Sequence, residues 1–189
     1  MYTPYDPAAP KVPVNAVAPT LVAVPNNLKG LSFLNRGLTG LDAPPVDMSY
    51  AEYLGTTVAT AAKLDGGCAG IRRPFVKGSI ESCDCFLYYT GNGVILGFAT
   101  VLVGNDGSVE IDLLCANKRY SGVGSKLIDA VNRVAKAAGY ARIRLKSVRA
   151  AQAFYGSRGF TPNGVEEDLV RMTRAVTRRR RRRGTRRRM

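Results

Sequence analysis

The chain has 189 residues, enough for one domain with a buried core, and its 46% hydrophobic content is that of an ordinary globular protein. It has no histidine, which excludes serine–histidine and cysteine–histidine catalysis and every histidine-ligated metal site. The net charge is +14, yet nine arginines crowd one end; without them 19 basic residues face 14 acidic ones, a residual +5.

Residues 1–26 are rich in proline, alanine and valine with no helical or strand period, and are expected to form an extended, disordered arm lying along a partner surface. Pro4, Pro7, Pro10 and Pro13 interrupt the start, unlike a secretory signal, and no apolar stretch approaches the roughly 20 residues that span a bilayer. An intracellular, soluble protein with no membrane partner is therefore expected. No first strand of a sheet is recognisable in this half, and the short apolar pieces of 27–46 suggest no element. A helix is predicted over about 48–64: Ser49 and Glu52 have capping-box spacing, and Tyr50, Leu54, Val58, Ala61 and Leu64 form one stripe. "GGCAGIRRPFVKG" (66–78) reads as loop. Then "CFLYYT", "VILGFATVLVG" and "SVEIDLLCAN" follow each other across Asn-Gly and Asp-Gly, the strongest short hairpin signals, and predict an antiparallel meander. Cys68, Cys83, Cys85 and Cys115 lack the paired spacing of an all-cysteine zinc site, so no metal is expected and the thiols should be reduced and partly buried.

A second helix carries Leu127, Ile128, Val131, Val134, Ala135 and Ala138 at the spacing of one buried face, with Gly139 placed as its C-terminal cap. "ARIRLKSV" alternates Ile143 and Leu145 with Arg142, Arg144 and Lys146, a half-buried strand with a basic face. A short helix over about 149–157 and a last strand in "DLVRMTRAV" complete the order. That order predicts an α/β fold over 27–177, a mixed and mostly antiparallel sheet flanked by helices, with disordered arms at either end.

Two glycines stand where the third strand of the meander gives way to the second helix, in "RYSGVGSKL" (119–127). A helix N-terminus gathers unpaired N–H groups and the positive end of the helix dipole, so the junction suits a phosphate; an ordinary tight turn would also contain two glycines. A dinucleotide-binding fold is ruled out because hairpins, not crossover helices, join the preceding strands.

The stretch "IDLLCANKRYSGVGSKLIDAV" together with "AQAFYGSRGF" resembles the GNAT superfamily of N-acetyltransferases. Arg119, Gly122 and Gly124 match its Gln/Arg-x-x-Gly-x-Gly/Ala coenzyme A motif. Ala151, Phe154, Tyr155, Gly159 and Phe160 match its later motif, and the resemblance is clearest over 80–176. It implies acetyl-coenzyme A as cofactor and an amine acceptor, on a protein or a small molecule. The strand end Cys115, Ala116 and Asn117 would pair with the pantetheine arm. The diphosphate would sit on backbone N–H groups of Arg119, Tyr120, Ser121, Gly122, Val123, Gly124 and Ser125. Tyr155 would be the general acid, since a phenol with pKa about 10 is protonated at neutral pH. For the base, Glu110 and Asp112 lie two apart on one strand and so share a face, opposite Val109, Ile111 and Leu113.

The tail, residues 178–189, holds Arg178, Arg179, Arg180, Arg181, Arg182, Arg183, Arg186, Arg187 and Arg188 with no acid, and is expected to bind nucleic acid through counterion release. Nuclear targeting is a compatible use of it. Two functions fit the whole: an N-acetyltransferase that the tail brings to a nucleic-acid-associated substrate, or a catalytically degenerate relative that binds or packages nucleic acid, as in a virus particle.

Overall fold

The computed structural model describes residues 8–17, 19–25, 71–91 and 94–176. The helix predicted over 48–64, the pieces of 27–46 and the arginine tail lie outside the described residues. The chain forms β1 (Val12–Pro13), a 3-10 turn (Val14–Val17), β2 (Thr20–Pro25), α1 (Arg73–Ser82), β3 (Cys85–Gly91), β4 (Val94–Val103) and β5 (Ser108–Ala116). It continues with β6 (Tyr120–Ser121), α2 (Val123–Ala137), β7 (Arg142–Ser147), a 3-10 turn (Arg149–Ala151), α3 (Gln152–Gly156), β8 (Thr161–Glu166) and β9 (Leu169–Ala175).

Seven strands make one sheet in the order β2-β3-β4-β5-β7-β9-β8, in which β5 and β7 are the parallel pair and all other neighbours are antiparallel. The Asp-Gly turn closes the β4–β5 hairpin: Gly107 takes a φ of 73°, Ser108 Oγ donates to Asp106 Oδ1 at 2.5 Å, and the Gly104 N–H donates to the Ser108 carbonyl. On one face of the sheet α2 buries Leu127, Ile128, Val131, Val134 and Ala135 against Val109, Ile111, Ile143 and Leu145. Gly139, with φ 86°, ends this helix: its N–H donates to the Lys136 carbonyl and that of Tyr140 to the Ala135 carbonyl, the paired bonds of a Schellman cap.

Three segments depart from expectation. The stretch 66–78 reads as loop, yet α1 begins within it. Pro74 occupies the first turn, where its missing N–H is no loss, and Val76 and Ile80, four apart, bury against Phe86, Phe98 and Leu113 on the other face. The N-terminal arm is part of the fold: Thr20–Pro25 pairs antiparallel with Cys85–Thr90 and supplies the first strand that the sequence conceals. As an edge strand it tolerates Pro25, which no central strand would. The expectation of a last strand held by "DLVRMTRAV" omits β8, whose side chains are mostly exposed and therefore show no alternation.

Candidate active site

The parallel partnership of β5 with β7 runs only from Ser108 to Ile111, opposite Arg142 to Leu145. Beyond it the strands part, and β5 from Asp112 to Ala116 keeps β4 on one side and has no strand on the other among the described residues. A bulge marks the parting: Thr100 faces Leu113 and Val101 faces Ile111, so Asp112 is the extra residue. The bulge also corrects the expected alternation. Glu110 and Asp112 do share the α1 face, but Leu113 lies there with them, packed with Phe86 and Phe98, because the inserted residue resets the period.

Past β5 the chain is drawn into a tight loop by Asn117, a buried residue. Its Oδ1 accepts the Arg119 N–H at 2.9 Å and its carbonyl accepts the Tyr120 N–H at 3.2 Å. The N–H groups of Arg119 and Tyr120 are thus engaged inside the loop, which narrows the expected cradle to its later members. Ser121 and Gly122 are exposed, and Gly122 holds φ at 86°, which a residue bearing a Cβ adopts only with strain. The first intrahelical bond of α2 runs from the Lys126 N–H to the Gly122 carbonyl, so Val123, Gly124 and Ser125 present the unpaired N–H groups of a helix start. Acidic residues are absent from that first turn. These features fit a diphosphate.

The loop is braced by the N-terminus. β1 pairs in parallel with β6, Val12 with Tyr120 and Pro13 with Ser121, and the Val12 N–H donates to the Arg119 carbonyl at 2.9 Å. Val14 is buried beside Gly122, where a Cβ would lie 3.3 Å from Val14 Cγ1. The arm expected to lie along a partner surface therefore lies on the chain's own glycine loop.

The later motif is a packing unit around α3. Phe154 rests on the first turn of α2, its Cζ 3.0 Å from where a Cβ on Gly124 would be, so the second glycine serves helix packing. Tyr155 stands edge-on between Phe154 and Phe160, with centroids at 5.1 and 5.8 Å. Gly159, with φ 81°, turns the chain so that Phe160 enters the core. Burial pushes the Tyr155 phenol above its ordinary value, so it is held protonated.

The two carboxylates have different company. Asp112 accepts a hydrogen bond from Ser79 Oγ of α1 at 2.5 Å, and Ser79 Oγ lies 2.8 Å from the buried Thr100 hydroxyl. Glu110 lines a cavity of about 250 Å³ on the sheet face opposite α2. Its Oε2 lies 3.8 Å from Arg144 Nη2. Arg171 and Asn163 line the same cavity, and neither is signalled by any local motif. Of the cysteines, Cys83 and Cys85 are buried thiols, and Cys83 Sγ donates to the Ile80 carbonyl; desolvation pushes the Cys83 thiol up to about 12 and raises that of Cys85 well above its ordinary value. Cys115 is disulfide-bonded, which corrects the expectation of reduced thiols throughout.

The model of the acetyltransferase (GNAT) family matches residues 67–160. No curated protein matches the sequence. Among solved structures, the PaiA N-acetyltransferase of Thermoplasma acidophilum in complex with coenzyme A is similar at 15% identity, over 65% of this chain and 92% of that one, with TM-score 0.50. The ribosomal-protein-S18-alanine N-acetyltransferase of Escherichia coli is similar at 16% identity over 69% and 92% of the two chains, with TM-score 0.54. Tetrahymena GCN5 is similar at 9% over 70% and 93%, with TM-score 0.58. At such identities the likeness is one of fold. The family match, however, takes in the parting strands, the glycine loop and the helix of Tyr155, and the chain belongs to the GNAT family of acetyltransferases.

Proposed function

We propose that the protein is an N-acetyltransferase that moves an acetyl group from acetyl-coenzyme A to a primary amine. The observation that carries this reading is the strand β5, which beyond Ile111 has an edge with no strand on it among the described residues and leads into a left-handed glycine and a helix start with unpaired N–H groups. When bound, acetyl-coenzyme A supplies an acetyl group activated as a thioester. Gly122, Val123, Gly124 and Ser125 hold its diphosphate, and the open edge of β5 near Cys115 and Ala116 hydrogen-bonds its extended arm. Tyr155, kept neutral by burial, donates a proton to the departing sulfur. Glu110, in the cavity on the far face, takes the proton from the attacking amine. Asp112, engaged by Ser79, shapes the bulge instead of serving as the base.

Calorimetric titration with acetyl-coenzyme A, on the wild type and on Gly122→Glu, tests the reading. Micromolar binding that the variant loses while keeping its fold supports it; absence of binding to the wild type sinks it. That second outcome would favour the degenerate, structural alternative, for which the nine tail arginines speak. The tail is assigned to nucleic acid, on which the protein would find a protein substrate. Deletion of 178–189 should remove most nucleic-acid affinity and flatten its salt dependence, and unchanged binding at about 150 mM salt would refute that assignment.

A further inference from the structure

The cavity on the far face of the sheet has a charge pattern that the reaction alone does not require. Along this face Glu110, Arg144 and Thr173 form one cross-strand row, and Lys146 and Arg171 form the next row towards the parting of β5 and β7. Most of these charges are matched. Lys146 Nζ lies 2.7 Å from Glu166 Oε1, and Arg144 Nη1 lies 2.9 Å from Asp106 Oδ2 with Glu110 beyond. Arg171 makes no ion pair and no side-chain hydrogen bond among the described residues, although it lines the cavity. Glu166 is engaged first by Lys146, whose hydrogen bond is the largest cause holding that carboxyl below its ordinary range, and the charge of Arg171 adds a smaller contribution.

The guanidinium is also positioned. Across the β8–β9 hairpin Arg171 faces Gly164, where a Cβ would lie 2.7 Å from Nη2 and 3.1 Å from Nε. The absent side chain lets the planar fork lie against the hairpin backbone. The bulge between Pro162 and Gly164 leaves Asn163 as the extra residue, and its amide lines the same cavity. From strand spacing and rise, the α-carbons of Glu110 and Arg171 stand about 12 Å apart, on the scale of a short amine with an anionic group at its other end.

We propose that this cavity takes an acceptor whose amine faces Glu110 and whose anionic group, carboxylate or phosphate, is received by Arg171 with Asn163 beside it. A rigid fork with five donors matches either anion bidentately, and a guanidinium that holds no carboxylate within ion-pair distance among the described residues keeps those donors for a ligand in the cavity. The fate assigned to the amine rests on the N-acetyltransferase reading; the recognition of the anion does not.

The test uses the full chain and three amines of similar length: 4-aminobutyrate, 3-aminopropylphosphonate and butylamine. Affinity is measured by calorimetry, and transfer from acetyl-coenzyme A is followed in parallel by thiol release. At least one of the two anionic amines should bind about tenfold more tightly than butylamine, and the stronger of them identifies the anion. Arg171→Glu should abolish that preference and Arg171→Lys should keep part of it. For turnover, Arg171→Glu should raise KM for the anionic amine by about tenfold with kcat little changed. Butylamine bound as tightly as both anionic amines, or a preference indifferent to Arg171→Glu, overturns the proposal. If the preference appears without any acetyl transfer, the anion site stands and the catalytic reading falls. Equal acetylation of all three amines would leave the catalytic reading standing and sink the anion site.

Discussion

Gly97→Ala should destabilise the protein by about 1–2 kcal/mol, against the usual benefit of replacing glycine in a strand. Gly97 lies on β4 opposite Ala116, where the open strand runs into the glycine loop, and a Cβ there would fall 2.5 Å from Val123 Cγ1 and 2.7 Å from the Cys115 carbonyl oxygen. Overpacking of this kind costs about 1–3 kcal/mol. The loss of chain freedom in the unfolded state returns only about 0.4–1 kcal/mol, so the clash wins. For a chain of this size the melting temperature should fall by roughly 3–6 °C. Val123→Ala removes one of the two clashes and leaves the other, because the second partner is backbone. A thermal-denaturation cycle over the two substitutions should therefore show a favourable coupling of about 0.5–1 kcal/mol, with a residual cost that Val123→Ala cannot erase. Wild-type stability in Gly97→Ala, or strict additivity in the double variant, would refute the close approach of β4 to the start of α2. The same variant should weaken acetyl-coenzyme A binding, since the displaced carbonyl belongs to the strand end that would meet the cofactor's arm.

Tyr155→Phe keeps the ring stack with Phe154 and Phe160, so the fold should survive while kcat falls by about 10²-fold or more; a kcat within twofold of wild type would remove the phenol from the chemistry. Burial raises the Tyr155 pKa, so the folded state holds the proton more tightly than the unfolded state does. Its contribution to stability is full below the free value of about 10 and is lost as pH rises from there through the folded value, while the basic limb of the kcat profile should lie above about pH 10. Asp112→Asn should lower the melting temperature through the Ser79 bond and leave kcat within about threefold of wild type, whereas Glu110→Gln should lower kcat by about 10²-fold with the fold intact. Glu167, in the β8–β9 turn, has a φ of 54°, so Glu167→Gly should stabilise the protein by roughly 1 kcal/mol, measured by urea denaturation.

Legibility followed the strength of local pattern. The meander and α2 could be read directly because hairpin dipeptides and a 3.6-residue stripe each repeat one physical requirement several times. α1 hides because Gly78 and charged residues surround its two anchors, Val76 and Ile80, so no stripe develops. β8 is an edge and needs few apolar residues, whereas β2 is an apolar run too short, and too closely bracketed by Pro19 and Pro25, to show a period. At the site, Gly122 and Tyr155 announce themselves within short motifs. Arg171 does not, since it acquires its place only when Gly164, Lys146 and Glu110 are brought alongside from three other strands. The bulge at Asp112 was invisible for a related reason: an inserted residue is defined by its partner strand.

The pairing of Val12 and Pro13 with Tyr120 and Ser121 joins segments about a hundred residues apart. Such a closure is entropically late and cheaply undone, as two short strands hold it. The glycine loop should thus be among the last parts of the fold to acquire its final shape and among the first to exchange its amide hydrogens. A ligand that requires the finished loop will, by linkage, fasten down the N-terminus as well. Anything fused ahead of residue 8 would hang from the loop's own brace.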